Sequence, residues 1–212
     1  MNGKQRLQTL PRIGQARSGA GRTVLITGGC GFIGTNLADR IAAEGRRVRL
    51  LDNLSRPGVE QNLRWLRETW GDRIAIEIAD VRDPFAVRRA VAGTEAVFHF
   101  AAQVAVTTSL HDPVHDFEVN VRGTLNVLDA VRAQDDPPPV FFTSTNKVYG
   151  DMEDVPLRLR DKRYEPADAG LRARGFGEDR PLDFHSPYGC SKGAADQYMV
   201  DYARSYGLKT VV

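Results

Sequence analysis

A short apolar run that ends in closely spaced glycines, Thr23-Val-Leu-Ile-Thr27 followed by Gly28-Gly-Cys-Gly-Phe-Ile-Gly34, limits what this chain can fold into. Five residues of this kind read as a buried strand. Ile33, Leu37 and Ile41 then recur at helical spacing until Gly45 stops them, so Phe32 to Glu44 reads as a helix. The glycines fall where the strand must turn into the helix, as Gly29-x-Gly31-x-x-Gly34 and as Gly28-x-x-Gly31-x-x-Gly34. Small residues there let main-chain amides approach a pyrophosphate at the helix N-terminus, where the dipole favours negative charge. A second strand, Arg47-Val-Arg-Leu-Leu51, ends at Asp52. A carboxylate at that place binds the hydroxyls of an adenosine ribose and repels a 2′-phosphate. The expected cofactor is therefore NAD rather than NADP, with Gly28, Gly31, Phe32, Ile33, Gly34, Asp52 and its neighbour Asn53 around it. Arg56 is the one nearby cation that could meet a phosphate; it reads as a solvated loop charge.

The same alternation continues. Glu60 to Trp70 reads as a helix with Leu63 and Leu66 inward, Ile74 to Ile78 as a strand, Pro84 to Gly93 as a short helix capped by Asp83, and Ala96 to Phe100 as a strand. Pro113 to Ala133 reads as one long helix with Val119, Leu125, Val127, Leu128 and Val131 on its buried side. Val140 to Thr143 is a strand, Pro187 to Tyr206 a helix ended by Gly207, and Lys209 to Val212 the start of a sixth strand. The expectation is an α/β, Rossmann-like doubly wound parallel sheet with helices on both faces. Residues 22–212 form the cofactor-binding domain. Within it, 151–186 breaks the rhythm with Pro156, Pro166, Pro181 and many charges, and is expected to be a substrate-side insertion loop. Residues 1–21 carry Lys4, Arg6, Arg12 and Arg17 and no acid, and are expected to be a disordered basic tail. The chain stops inside a strand, so the last strands and a C-terminal substrate domain are expected to be missing.

A net charge of +2 argues for neither nucleic acid nor a membrane surface as partner. No run approaches membrane-spanning length. Cys30 and Cys190 each sit inside a motif without a second ligand at metal spacing, which fits small side chains in a reducing cytoplasm rather than a disulfide. His111, His115 and His185 form no ligand cluster, and no metal is expected.

Chemistry concentrates late in the chain. Tyr188 and Lys192 stand four residues apart in Ser186-Pro-Tyr-Gly-Cys-Ser-Lys192, so they share a helix face. A phenol with a free pKa of about 10 is made more acidic by an ammonium one turn away. Thr143-Ser-Thr-Asn-Lys-Val-Tyr-Gly150 puts hydroxyls at a strand's C-terminal end, and Thr145 is the candidate donor to a sugar oxygen while Tyr188 takes its proton. Asp80 and Val81 after the third strand are candidates for the adenine. Phe100, Ala101 and Ala102 after the fourth leave room for cofactor against the backbone, and His99 reads as a packed, satisfied histidine. Asn120, on a largely apolar helix, reads as a polar link to the active-site backbone and as part of the cofactor site.

Across 22–212 these residues resemble the extended short-chain dehydrogenase/reductase family, and within it the NAD-dependent nucleotide-sugar epimerases. The long runs Asp52–Val59, Asn62–Leu66, Ser144–Asp151 and Leu182–Tyr198 are the most specific, and resemble the 2-epimerases of CDP-sugars. The resemblance implies NAD+ accepting hydride from carbon 2 of a CDP-linked 3,6-dideoxyhexose and returning it to the other face of the 2-keto sugar. It implies Tyr188 as phenolate base, Thr145 and Lys192 assisting, and a homo-oligomer. Sugar-nucleotide 4,6-dehydratases carry an acid pair where this chain has Asn146 and Lys147, which argues against dehydration. The alternatives are a UDP-sugar 4-epimerase and, from another class, a non-catalytic NAD-binding fragment.

Overall fold

Residues 23–212 are described by a computed structural model; the expected basic tail lies outside the described residues. Among these, β1 (Thr23–Thr27), β2 (Arg47–Asp52), β3 (Ile74–Ile78), β4 (Thr94–His99), β5 (Val140–Phe142) and a last strand pair in one sheet. Two further strands, β6 (Leu157–Arg160) and β7 (Arg163–Pro166), form a separate antiparallel hairpin, which makes the last strand β8 (Thr210–Val211). The sheet order is β3-β2-β1-β4-β5-β8, every pair parallel. The order reverses between β1 and β4, and a doubly wound sheet opens its ligand crevice at the C-terminal ends of the strands at that reversal.

Both faces of the sheet are covered, so the middle of β1, Val24 to Ile26, is a continuous apolar run rather than an alternating one. Leu25 points to one side, among Leu51, Val87, Val97, Val127, Leu128, Val131, Val140 and Met199. Val24 and Ile26 point to the other, among Ala38, Ile41, Val48, Leu50, Leu63 and Leu66. The first core is roofed by α3 (Pro84–Val91), α6 (Gly123–Arg132) and α8 (Ser186–Tyr206), the second by α1 (Phe32–Ala43) and α2 (Val59–Trp70). Each fully buried Leu, Ile or Val contributes about 1.5–3 kcal/mol by leaving water.

Local signals read correctly where they were strong. Asp83 accepts from the main-chain N–H of Phe85 and Ala86 and caps α3 ahead of Pro84. Leu63 and Leu66 are the buried residues of α2. Three readings need correction. Ile33 is not on the buried face of α1; it and Phe32 are exposed, and the inward face is Gly34, Thr35, Ala38, Ile41 and Ala42. The helix expected over 113–133 is α5 (Pro113–Phe117) joined to α6 through a π-helical turn at Glu118–Arg122. An additional helix, α4 (Val106–His111), precedes it. The 151–186 interval is built as the β6–β7 hairpin, a short helix α7 (Ala169–Arg174) and a return segment. That segment pairs Asp183 N–H with the Val148 carbonyl at 2.9 Å, bringing the chain back to the end of β5.

Candidate active site

The glycine loop is shaped by contacts that exclude side chains. Gly28 has φ +66°, and a Cβ there would lie 2.7 Å from the Ala101 nitrogen. A Cβ on Gly29 would lie 2.7 Å from Leu50 Cδ2, and one on Gly34 would strike the Gly28 carbonyl oxygen. The loop is thereby pressed between β2 and the end of β4. Its backbone is fixed by Gly28 N–H to the Leu51 carbonyl (2.8 Å) and Gly31 N–H to the Gly28 carbonyl (3.1 Å). Asn62 reaches from α2 to the Cys30 carbonyl at 2.8 Å. Helix α1 begins at Phe32 with no side-chain cap and no acid in its first turn. Its free amides and positive dipole end thus face the crevice unopposed. A cradle of this shape, which a methyl would fill, fits a pyrophosphate.

Asp52 stands beside it at the end of β2. One carboxylate oxygen accepts from Cys30 N–H and the other from Leu54 N–H, each at 2.9 Å. Each oxygen keeps a second lone pair for hydroxyl donors. The same negative charge, after burial itself, helps push the Cys30 thiol up to about 12. Asn53 donates to Asp80 at 3.0 Å, and Arg82 closes on the same carboxylate at 2.8 and 2.9 Å. The Arg82 hydrogen bond is the main reason Asp80 falls to about 2. The Val81 side chain is core, packed under Gly123, which leaves its main chain to face a ligand.

At the end of β4, His99 is fully engaged. Its Nδ1 lies 2.7 Å from Thr27 Oγ1 and its Nε2 3.0 Å from Thr124 Oγ1. Thr124 gives its only hydroxyl proton to the Asn120 carbonyl (2.6 Å), so it accepts from Nε2–H. Nδ1 then accepts from Thr27, whose oxygen receives Ala101 N–H at 3.2 Å. Burial, and secondarily the Lys192 charge, pull this imidazole down to about 3, so it is a neutral strut. It fixes Ala101 and with it the floor formed by Phe100, Ala101 and Ala102, all partly buried. Asn120 makes the polar link to the backbone at the end of β4 that its place on an apolar helix led us to expect. It is buried; its oxygen accepts Gln103 N–H (2.9 Å), and its amide donates to the Gln103 carbonyl (3.1 Å) and to Ser191 Oγ (2.9 Å). Both amide protons are used, the oxygen keeps a second lone pair, and the side chain ties the β4 end to α8.

Helix α8 is aimed by its first residues. Ser186 holds φ +62°, unusual for a non-glycine, and its hydroxyl accepts Gly189 N–H at 3.2 Å while Pro187 starts the helix. Tyr188 N–H donates to Ser109 Oγ on α4 at 3.2 Å, and the residue is buried. One turn on, Lys192 Nζ donates to the Thr143 carbonyl at 2.6 Å and sits 3.8 Å over the Phe142 ring. Lys192 is therefore fastened at the C-terminal end of β5, and Tyr188, one turn earlier, is tied to α4. Burial drives Lys192 down to about 7, against the upward pull of Asp196 and Asp116. Thr145 caps the turn Asn146–Tyr149 by accepting Lys147 N–H at 3.3 Å, which leaves its hydroxyl proton free to donate. A cleft of about 320 Å³ opens here, lined by Val106, Leu110, Lys147, Gly150, Asp151, His185 and Ser186.

The structure also brings in residues the sequence did not announce. Ser144 Oγ is buried at the strand end with no partner among the described residues. Gln103, Ser109, Asp116 and Ser191 knit α4, α5 and α8 together around Tyr188. Only Ser191, inside the Ser-Lys step of the Tyr188 motif, carried a sequence signal.

A sheet of this order, with a glycine cradle at its reversal and a Tyr-Lys helix beside it, defines a dinucleotide-dependent enzyme class. The model of the NAD dependent epimerase/dehydratase family matches residues 24–212, and the chain belongs to that family. Among individual relatives, the CDP-paratose 2-epimerase of Salmonella typhi is 48% identical over 191 residues, covering 89% of this chain and 55% of the relative. A putative UDP-glucose 4-epimerase of Methanocaldococcus jannaschii is 32% identical, covering 89% and 53%. Of solved structures, the Thermus thermophilus UDP-glucose 4-epimerase complex with NAD superposes with TM-score 0.68 at 36% identity, covering 89% of this chain and 53% of that one. A dTDP-glucose 4,6-dehydratase from Streptomyces venezuelae with NAD bound gives 0.71 at 28%, covering 89% and 53%. The chain spans about half the length of the curated relatives it matches.

Proposed function

We propose that the protein takes part in NAD-dependent epimerisation of a nucleotide sugar, converting CDP-paratose to CDP-tyvelose at carbon 2 through a 2-keto sugar. The observation that carries this reading is Lys192 held at the end of β5, with Tyr188 one helical turn before it, next to the strand whose end presses on the glycine loop. When bound, NAD+ supplies a reversible hydride acceptor. The amides of the Gly28–Gly34 loop and the start of α1 hold the pyrophosphate, Asp52 the adenosine ribose, and Asp80 with the Val81 main chain the adenine. Tyr188 removes the proton from the sugar hydroxyl as hydride leaves its carbon, and returns it in the reverse step. Lys192 favours the phenolate by charge, and Thr145 donates to the same sugar oxygen. The cleft lined by Val106, Leu110 and Lys147 takes the hexose, and the 151–186 insertion forms its substrate-side wall.

Carbon 2 is favoured over carbon 4 by the 48% identity to a CDP-paratose 2-epimerase, against 32% and 36% for the Methanocaldococcus jannaschii and Thermus thermophilus 4-epimerases. Asn146 and Lys147, neither a carboxylic acid, argue against dehydration. A cytoplasmic enzyme agrees with the described residues, where no helix is long and apolar enough to cross a membrane. A UDP-sugar 4-epimerase remains the second reading because such enzymes recur among the relatives. A non-catalytic NAD-binding fragment is the third, because the matched relatives are about twice as long. Incubation with CDP-paratose or UDP-glucose, followed by hydrolysis and sugar analysis, tests all three. Inversion at carbon 2 supports the proposal, inversion only at carbon 4 overturns it, and NAD binding without turnover leaves the third.

A further inference from the structure

The β6–β7 hairpin separates its two faces by charge. Its register pairs Leu157 with Pro166, Arg158 with Glu165, Leu159 with Tyr164 and Arg160 with Arg163. Side chains alternate along a strand, so Leu157, Leu159 and Tyr164 share one face and Arg158, Arg160, Arg163 and Glu165 the other. Glu165 is buried on that charged face. Arg158 is spent on it, with Nη2 2.8 Å and Nε 3.1 Å from Glu165 Oε1. Arg172, on α7, comes within 3.9 Å of the same oxygen but donates to the main-chain carbonyls of Pro166 at 2.8 Å and Ala167 at 2.5 Å.

The tip of the hairpin has no such balance. Arg160 and Arg163 form the last pair of the ladder, so their side chains stand directly opposite, about 4.5–5.5 Å apart at Cβ. Like charges in that position oppose the pairing. Among the described residues, the carboxylate within reach of either is Glu165, 3.8 Å from Arg160 and 3.9 Å from Arg163, too long for a hydrogen bond. Both guanidinium groups are mostly exposed. With the turn residues Asp161 and Lys162 they line a cleft of about 540 Å³. Three cations against the single carboxylate of Asp161 leave this cleft short of negative charge. We propose that the hairpin tip is an anion-binding site for a phosphoryl or diphosphate group: the forks of Arg160 and Arg163 grip its oxygens from the two strands, and Lys162 adds the third cation. Guanidinium forks match phosphate oxygens in pairs. A phosphate carries about −1.5 to −2 charge at neutral pH, which is what the tip lacks. A bound anion also relieves the opposition between the two arginines. The site lies on the insertion, separate from the glycine cradle, and stands independently of the epimerase reading.

The test is a titration of the NAD-saturated 212-residue protein with inorganic pyrophosphate, since NAD keeps this probe out of the glycine cradle. It is followed by calorimetry and by NMR of the arginine Nε–H groups, those of Arg160 and Arg163 being assigned by their loss in Arg160→Gln and Arg163→Gln. Both signals are expected to shift on adding pyrophosphate, and each variant should weaken binding about tenfold. Arg89→Gln, on α3, should change it less than about twofold. Asp161 has φ +54°, a conformation asparagine also accepts, so Asp161→Asn keeps the turn and removes its negative charge. Its affinity for pyrophosphate should rise about threefold or more. Unmoved Nε–H signals, affinity unchanged in both glutamine variants, or weaker binding by Asp161→Asn overturns the site. CDP as a second probe identifies the source. Loss of CDP and pyrophosphate binding together in Arg160→Gln supports the diphosphate of a nucleotide as the ligand, and loss of pyrophosphate binding alone supports a free phosphoryl anion. A protein that shows these shifts but does not epimerise loses the function proposed above and keeps this site.

Discussion

Substituting Gly34 by Ala tests the glycine cradle with a single methyl. The new Cβ would overlap the Gly28 carbonyl oxygen and lie 2.7 Å from Gly29 Cα and 3.0 Å from Gly29 C. All three are main-chain atoms of a loop held at Leu51 and pressed on Ala101, so none can rotate aside. Overpacking of this kind costs about 1–3 kcal/mol, and the rigidity of the contacts puts it near the upper end. Gly34 is inside α1, where Ala is the better helix former by about 1 kcal/mol. The net loss is about 2 kcal/mol, a fall in Tm of about 4–8 °C for a domain of this size. Gly31→Ala is the control: its Cβ would meet only the Gly28 oxygen, at 3.3 Å, and should cost under about 1 kcal/mol. Thermal and urea unfolding of the three proteins measure this directly. Equal stability of Gly34→Ala and wild type, or greater damage from Gly31→Ala, would refute the packing argument.

Other outcomes follow from single residues. Lys192 titrates at about 7 in the folded chain, well below an unfolded lysine, so between those values the unfolded chain binds a proton that the folded one does not. Stability should therefore rise with pH across that window, by up to about 1.4 kcal/mol per unit, and Lys192→Met should lack the rise; a wild-type-minus-variant difference that stays flat from pH 7 to about 9 rejects it. Asp52→Ala should weaken NAD about tenfold or more and narrow the preference over NADP; titrations giving an unchanged ratio would remove Asp52 from the ribose. Ser144→Ala removes a hydroxyl that is buried with no partner among the described residues, so stability should hold or rise by about 1 kcal/mol. A loss of that size in urea unfolding would mean the hydroxyl is satisfied after all.

Much of this fold was legible because its signals are local. The β1 run, the glycine loop, Asp52 at a strand end and the Asp83 cap are each specified within a few residues by geometry no other residue types satisfy as well. Tyr188 and Lys192 were legible because helical spacing alone puts them together. The rest depends on contacts distant in sequence. Helix α4 carries two adjacent threonines and an exposed Leu110, so neither propensity nor periodicity marks it. The π-helical turn keeps an apolar pattern that reads as plain helix, and its purpose shows only when Asn120 meets Gln103 and Ser191. The first strand of the β6–β7 hairpin alternates leucine and arginine. It exposes Leu157 and Leu159 on one side and gathers Arg158 and Arg172 around Glu165 on the other. Its prolines and charges looked like a loop. Asp116 and Ser109 had no signal at all, since a buried acid or serine in a helix is indistinguishable from an exposed one until its partners are in place.

The central step of the proposed reaction is proton removal by the Tyr188 oxygen, and Tyr188→Phe deletes that oxygen while leaving the buried ring. The decisive measurement is the near-ultraviolet absorbance of reduced nicotinamide after CDP-paratose is added to NAD-loaded protein, wild type against Tyr188→Phe. A signal with the wild type, none with the variant, and the same NAD affinity in both is the expected result; reduction of equal rate and extent in Tyr188→Phe would contradict the account.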